Sequence, residues 1–170
     1  MLKHVLFVMA VLAQVAILGV KPAERLMIRR EGAVVTLQAR LAESHGLLGG
    51  YGVAFDYEIA KPPESARENG LECGRVWTVV KKEADGIWKI AAVQNERSAN
   101  PGPGEVCLRG CLSDGVIRYG IEQYPLSADL RRRIAEEISR TGWIRADVAV
   151  GPQGRSSVLR LHVGDSTYEF

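Results

Sequence analysis

The sequence predicts a mainly β fold: an antiparallel sandwich or open barrel with one α-helix, preceded by a single N-terminal transmembrane helix. Three observations carry this expectation. The run Val5–Val20 holds no charge and a single polar residue, Gln14. Eight later segments are short, rich in β-branched or aromatic residues, and separated by turn signals. Only the segment from Ser127 to about Thr141 combines helical spacing with a capping signal at each end. The chain therefore divides into a transmembrane anchor or signal peptide (1–21), a charged juxtamembrane linker (22–32) and a β-rich domain (33–170).

The anchor comes first in the chain. Sixteen helical residues span about 24 Å, and a start at Leu2 gives ~28 Å against a hydrocarbon core of about 30 Å. Lys3 and Lys21 flank the run and can snorkel to close the difference. A secretory signal peptide is the main alternative, but its apolar region is usually about 7–15 residues. Ile17-Leu18-Gly19 is also a poor substitute for a small-residue cleavage site. A buried core helix is the third reading. Lys21, Arg25, Arg29 and Arg30 follow the run, so the positive-inside rule alone keeps the C-terminal side in the cytoplasm. A short N-terminal tail before a first span commonly stays inside, which points the other way. The expected location is a single-pass membrane protein with its C-terminal domain extracytoplasmic. Residues 2–20 would then lie in the lipid bilayer.

The strands follow in order: Ala33–Ala42, Gly52–Ala60, Gly74–Lys82, Ile87–Gln94, Glu105–Leu112, Val116–Tyr124, Ile144–Val150 and Ser156–Val163. Many alternate, as Val76, Thr78 and Val80 do against Trp77 and Val79. Asp85-Gly86, Ser113-Asp114-Gly115 and Gly151-Pro152-Gln153-Gly154 are turn signals. These connections are short, so the strands on either side are expected to pair antiparallel. Lys61–Asn69 and Ser98–Gly104 read as loops. In the helix, Ser127 is the N-cap, Asp129 complements the dipole, and Gly142 supplies the stop. Leu126, Leu130, Ile134 and Ile138 make one apolar stripe, expected to pack on a sheet.

Gly49-Gly50-Tyr51-Gly52 raises the question of a phosphate loop. Such a loop needs a helix after its glycines, so that amides point at the anion. Here the glycines lead into Val53, Phe55, Tyr57 and Ile59 on one face, with Ala54, Asp56 and Glu58 on the other. That is the start of a strand. The same stretch resembles the GDYXXLXY family of membrane-anchored, uncharacterised bacterial proteins. Gly50, Phe55 and Tyr57 stand at the motif's glycine, leucine and final tyrosine, while Tyr51 and Gly52 replace its aspartate and first tyrosine. Tyr119-Gly120-Ile121-Glu122, followed by Tyr124, is similar to the family's strand before its helix. The resemblance implies an extracytoplasmic β-rich domain, often encoded near a multi-span membrane protein. It implies no reaction and no catalytic residues.

Charge and residue patterns narrow the function further. Twenty-two Lys and Arg face twenty Asp and Glu, and setting aside Lys3 and Lys21 leaves the rest neutral. A neutral body argues against nucleic acid as a partner. The dense basic run Arg131-Arg132-Arg133 precedes Glu136 and Glu137 at salt-bridge spacing, as on a solvated helix face. Cys107-Leu108-Arg109-Gly110-Cys111 is not the usual C-x2-C pair and has no histidine near it in sequence, so no metal or other cofactor is expected. Four residues apart on one strand, they stand ~13 Å apart, too far for a bridge between them. A disulfide from Cys73 to either is open across a sheet; otherwise the three are small core residues. His4, His45 and His162 form no nucleophile–base pattern by sequence, and His162 is expected to face solvent. Asp56 and Glu58 read as a solvated strand face. Tyr51, Tyr57, Tyr119, Tyr124, Trp77, Trp88 and Trp143 read mostly as core, with a partner surface at one sheet end as the other reading.

These readings converge on a non-catalytic, membrane-anchored accessory or interaction subunit. Its expected partner is a multi-span membrane protein or membrane complex. A β-barrel module binding a small apolar ligand or lipid is the alternative. An extracytoplasmic hydrolase is the second alternative.

Overall fold

Period-two alternation builds the domain. In strand β1 (Ala33–Leu41), Val35, Leu37 and Ala39 are buried while Val34, Gln38 and Arg40 are exposed. The same parity turns Phe55 and Tyr57 inward from β2 (Gly52–Tyr57), and Val76, Thr78 and Val80 inward from β3 (Gly74–Lys82). A computed structural model describes Met9, Gln14 and residues 24–42, 52–64, 73–97 and 101–169 of the chain. Within it follow β4 (Trp88–Gln94), β5 (Glu105–Ser113), β6 (Val116–Arg118), β7 (Gln123–Pro125), β8 (Ile144–Val150), β9 (Ser156–Val163) and β10 (Ser166–Glu169). Two helices are described: α1 over residues 24–31 and α2 (Ala128–Thr141).

The strands form two antiparallel sheets, each curled as a half-barrel. The larger has the order β10-β9-β8-β1-β2-β7 and the smaller β4-β3-β5-β6. Their inner faces share one core, in which Leu37, Phe55, Leu108, Ile117, Ile144 and Leu161 have at most 1 % of their surface exposed. β5 runs past the end of β6, since only Cys111–Ser113 of it pair there. The β8–β9 loop covers the open stretch: the Gly154 carbonyl accepts the Arg109 N–H at 2.8 Å. A Cβ on Gly154 would lie 3.0 Å from both Arg109 N and Cys107 O, and φ is +72° there, so this contact needs glycine.

The α2 expectation holds. Ser127 Oγ accepts the Leu130 N–H at 3.3 Å, and the Gly142 N–H reaches Ile138 O at 2.7 Å. Ile134 is fully buried, with Leu130 and Ile138 packed beside it. Glu137 accepts from Ser166 Oγ at 2.7 Å and Tyr168 Oη at 2.8 Å, fastening the helix to β10. These two bonds hold the Glu137 carboxyl below its ordinary pKa.

Five expectations change. The strand expected to continue to Ala60 turns into a 3₁₀ helix at Glu58–Ala60, which buries both Ile59 and Ala60. The strand expected over Val116–Tyr124 is broken between β6 and β7, because the chain there leaves one sheet for the other. β10 is an additional strand, paired with β9 through the Gly164-Asp165 turn. The domain has a second helix where a linker was expected: within 22–32, residues 24–31 are helical, Ile28 is 7 % exposed, and the Gly32 N–H bonds Ile28 O at 2.9 Å. Neither reading of the cysteines holds throughout: the bridge left open for Cys73 is not formed, and as thiols Cys73 and Cys111 are exposed and Cys107 half-buried rather than all three in the core. The β3–β5 register places Cys111 opposite Arg75 and Cys107 opposite Val79, so neither faces Cys73. Cys73 Sγ instead donates to Leu112 O at 3.2 Å.

Among the described residues no helix is long and apolar enough to cross a membrane. The expected span at 2–20 lies outside the described residues except for Met9 and Gln14, both helical and exposed.

Candidate functional site

The residues of the sequence motif converge on the corner between β6 and β7. A chain that leaves a sheet abandons its ladder hydrogen bonds, and its polar groups need other partners. Gly120 makes the reversal with φ +78°. Glu122 folds its carboxylate back over the turn: one oxygen accepts the Tyr119 N–H, and the other accepts the Gly120 N–H at 2.9 Å. The Glu122 carbonyl then takes the Phe55 N–H at 2.8 Å, which joins the corner to β2.

Two tyrosines brace the corner from inside. Tyr57 Oη donates to Ile121 O at 3.1 Å. Tyr119 Oη donates to Ile59 O at 2.8 Å and lies 2.8 Å from Thr78 Oγ1. A phenol has one proton, so with it on Ile59 the Thr78 hydroxyl is the donor to Tyr119. Thr78 sits on β3 and is fully buried, and Tyr119 is 7 % exposed. The chain of bonds thus ties the smaller sheet, the corner and the 3₁₀ helix together. Ser156 Oγ adds a bond to Tyr119 O at 3.3 Å from β9. Phe55 packs at 6.3 Å from the Tyr124 ring centroid. Burial pushes the Tyr57, Tyr119 and Tyr124 phenols above their ordinary pKa, so they stay neutral at physiological pH. Gly50, the remaining motif position, lies outside the described residues.

A second polar group stands on the outer face of the larger sheet. Asp147, 7 % exposed, accepts from Thr36 Oγ1 at 2.9 Å through Oδ1. Its Oδ2 meets Arg160 Nη2 and His162 Nε2, each at 3.0 Å. The other ring nitrogen of His162 lies 3.0 Å from Thr167 Oγ1. Burial raises the Asp147 pKa, but hydrogen bonds from His162 and Thr36 and the nearby positive charges outweigh it, and the net shift is downward. Strand parity places these residues on one face, as expected for His162. Asp147 has one signal in the sequence, a lone acid inside the largely apolar strand Ile144–Val150, and its partners are not visible there. The order hydroxyl, imidazole, carboxylate is that of a proton relay, yet Thr167 is exposed on an outer strand, and Arg160 shares the carboxylate oxygen. The arrangement is an Asp147–Arg160 ion pair hydrogen-bonded on to Thr36 and His162.

Asp56 and Glu58 are both exposed, as a solvated face requires. Arg132 pairs loosely with Asp129 and Glu136 on the open side of α2. Among the described residues no group of three acidic, histidine or cysteine side chains is placed to hold a metal ion. Of the aromatic residues read as core or partner surface, Tyr57 and Tyr119 are buried, Trp143 is 38 % exposed beneath the Arg145 guanidinium, and Tyr51 lies outside the described residues.

No curated protein and no solved structure matches the chain. The family model described as GDYXXLXY protein does match, over residues 14–161. That span takes in the corner and the tyrosines that brace it, and the chain belongs to the GDYXXLXY family.

Proposed function

We propose that this protein is a non-catalytic, membrane-tethered accessory subunit whose β domain docks onto a multi-span membrane protein. The join between the expected anchor and the domain carries the reading. Ile28 of α1 is buried against Gly151, Gly32 approaches Val150 O, and Glu24 pairs with Arg155. An anchor followed within a few residues by a helix packed in this way would hold the domain close to the membrane instead of swinging it on a long loose linker. Tethering also raises the effective concentration of the two partners, so a modest interface is enough. The engagement of the motif residues within the fold agrees with a scaffold role. Gln14, polar within the apolar run, suits a sideways hydrogen bond to a neighbouring helix.

The test is extraction of the tagged full chain from native membranes in mild detergent, followed by native mass measurement and mass spectrometry. The expected result is a defined complex containing one multi-span protein at fixed stoichiometry. A partnerless monomer that hydrolyses an ester or amide, and loses this activity on His162→Asn, would overturn the reading in favour of a hydrolase. A lone monomer carrying stoichiometric lipid would favour a ligand-binding module.

A further inference from the structure

We propose that the outward face of α1 lies on the anionic headgroup layer of the membrane, with Leu26 and Met27 inserted and Arg30 between them on lipid phosphate. The proposal rests on the anchored reading given above. Leu26 is 59 % exposed and Met27 61 %, adjacent on a helix whose Ile28 is 7 % exposed. Arg30 stands four residues after Leu26 and three after Met27, so the three share one face. Ile28, two residues from Leu26 and from Arg30, points the opposite way, into the domain. The helix therefore turns one apolar residue inward and two outward, with a cation on the outward side. Arg25 and Arg29 stand on the flank nearer Tyr124, whose phenol they act on electrostatically. An apolar stripe flanked by arginines is the pattern of a helix lying in the headgroup plane.

Distance narrows the occupant. Three residues, Lys21-Pro22-Ala23, separate Val20 from Glu24 in sequence. Even fully extended they hold Glu24 within ~14 Å of the end of the apolar run. If that run spans the bilayer, α1 begins at the headgroup layer. Leu26 and Met27 then lie where lipid, rather than water, is the nearest large apolar medium. The arginines complement anionic headgroups, and aliphatic arginine stems let the charge reach phosphate while the neighbouring side chains sink.

The experiment uses the full chain with Cys73→Ser, Cys107→Ala and Cys111→Ser, plus Leu26→Cys or Met27→Cys carrying an environment-sensitive fluorophore. Each is reconstituted into vesicles of phosphatidylcholine with phosphatidylglycerol, and of phosphatidylcholine alone. A label at Ser139→Cys, on the exposed side of α2, is the reference for water. The expected result is blue-shifted emission at 26 and 27, quenched by headgroup-proximal spin-labelled lipid, and stronger with phosphatidylglycerol. Arg30→Gln should weaken the phosphatidylglycerol-dependent partitioning about fivefold. Labels at 26 and 27 as wet as the one at 139, in protein that resists carbonate extraction, would overturn the inference while leaving the anchor intact. Shielding seen only in native membranes, and not in pure vesicles, would replace lipid with a protein as occupant and overturn it too. Protein that carbonate extracts would sink the anchored reading itself, and this inference with it.

Discussion

Replacing Tyr119 with Phe tests whether the corner is a brace. The substitution keeps the ring, so the packing among Ile117, Ile121 and Gly110 changes little. What it removes is one oxygen. Thr78, fully buried, loses the acceptor for its hydroxyl, and Ile59 O loses its donor. A buried group left unsatisfied costs ~1–3 kcal/mol, so two together cost about 2–6 kcal/mol. For a chain of this length each kcal/mol lowers Tm by ~2–4 °C, and a cost near ~3 kcal/mol gives a fall of about 6–12 °C. The assay is thermal unfolding of the full chain in mild detergent, followed by tryptophan fluorescence. A thermodynamic cycle sharpens it. On a Thr78→Val background the stranded hydroxyl is already gone, so Tyr119→Phe should cost ~1 kcal/mol less. A fall below ~1 °C for Tyr119→Phe, or full additivity in the cycle, would refute the hydrogen-bond chain as a load between the sheets.

Three further outcomes follow from other parts of the fold. Gly154→Ala forces an L side chain into a left-handed backbone and against two backbone atoms at 3.0 Å. It should cost at least ~1–2 kcal/mol and increase amide exchange at Arg109, as seen by hydrogen-exchange NMR. Asp147→Asn weakens charge-assisted bonds to Arg160 and His162 and should cost ~1.5–3 kcal/mol at neutral pH. The folded-state pKa of Asp147 is depressed, so its stabilisation is complete above the unfolded value of ~3.9 and is lost as pH falls through the folded value. The Tm gap between wild type and Asp147→Asn should therefore close below about pH 4, and a gap that is constant from pH 7 to pH 3 would contradict the assignment. Gln14→Leu should leave the domain's Tm unchanged and weaken co-extraction of the partner by ~1–2 kcal/mol or less, read as relative recovery at increasing detergent.

Local signals in the sequence were legible wherever one residue type decides one conformation. Ser127 and Gly142 bound α2 as expected, because a cap and a stop act within a single turn. β3 and β8 run over the expected residues, since alternation and bounding turns both lie inside the strand. The corner was not legible. Val116–Tyr124 keeps β composition throughout, and nothing within it records that β6 and β7 belong to different sheets. The partners that make Tyr119 a brace, Thr78 and Ile59, lie 41 and 60 residues away in sequence. Asp147 and His162 were separable by parity but not joinable, because their contact depends on the β8–β9 register and its irregularity between Asp147 and Val148. The helix at 24–31 has a signal in the sequence: apart from Ile28, Ala23 to Glu31 are good helix formers, with Pro22 ahead of them and Gly32 behind, although the same charge density also suits a linker.

The motif residues answer one mechanical problem each. Leaving a sheet needs a backbone reversal, which Gly120 supplies. The N–H groups freed by the reversal need an acceptor, which the Glu122 carboxylate supplies. The two sheets then need a fixed spacing, which Tyr57 and Tyr119 supply from opposite sides of the turn. In this chain the motif residues therefore build a corner; on the reading proposed above, partner specificity belongs to the surfaces the corner holds in place. That division has an observable consequence. A corner variant such as Tyr119→Phe should lose partner association only in step with unfolding. A variant outside the corner such as Gln14→Leu should lose association with the melting curve unmoved. If Tyr119→Phe instead abolished association while the domain remained fully folded, the corner would itself be a recognition element, and the separation of scaffold from surface would fail.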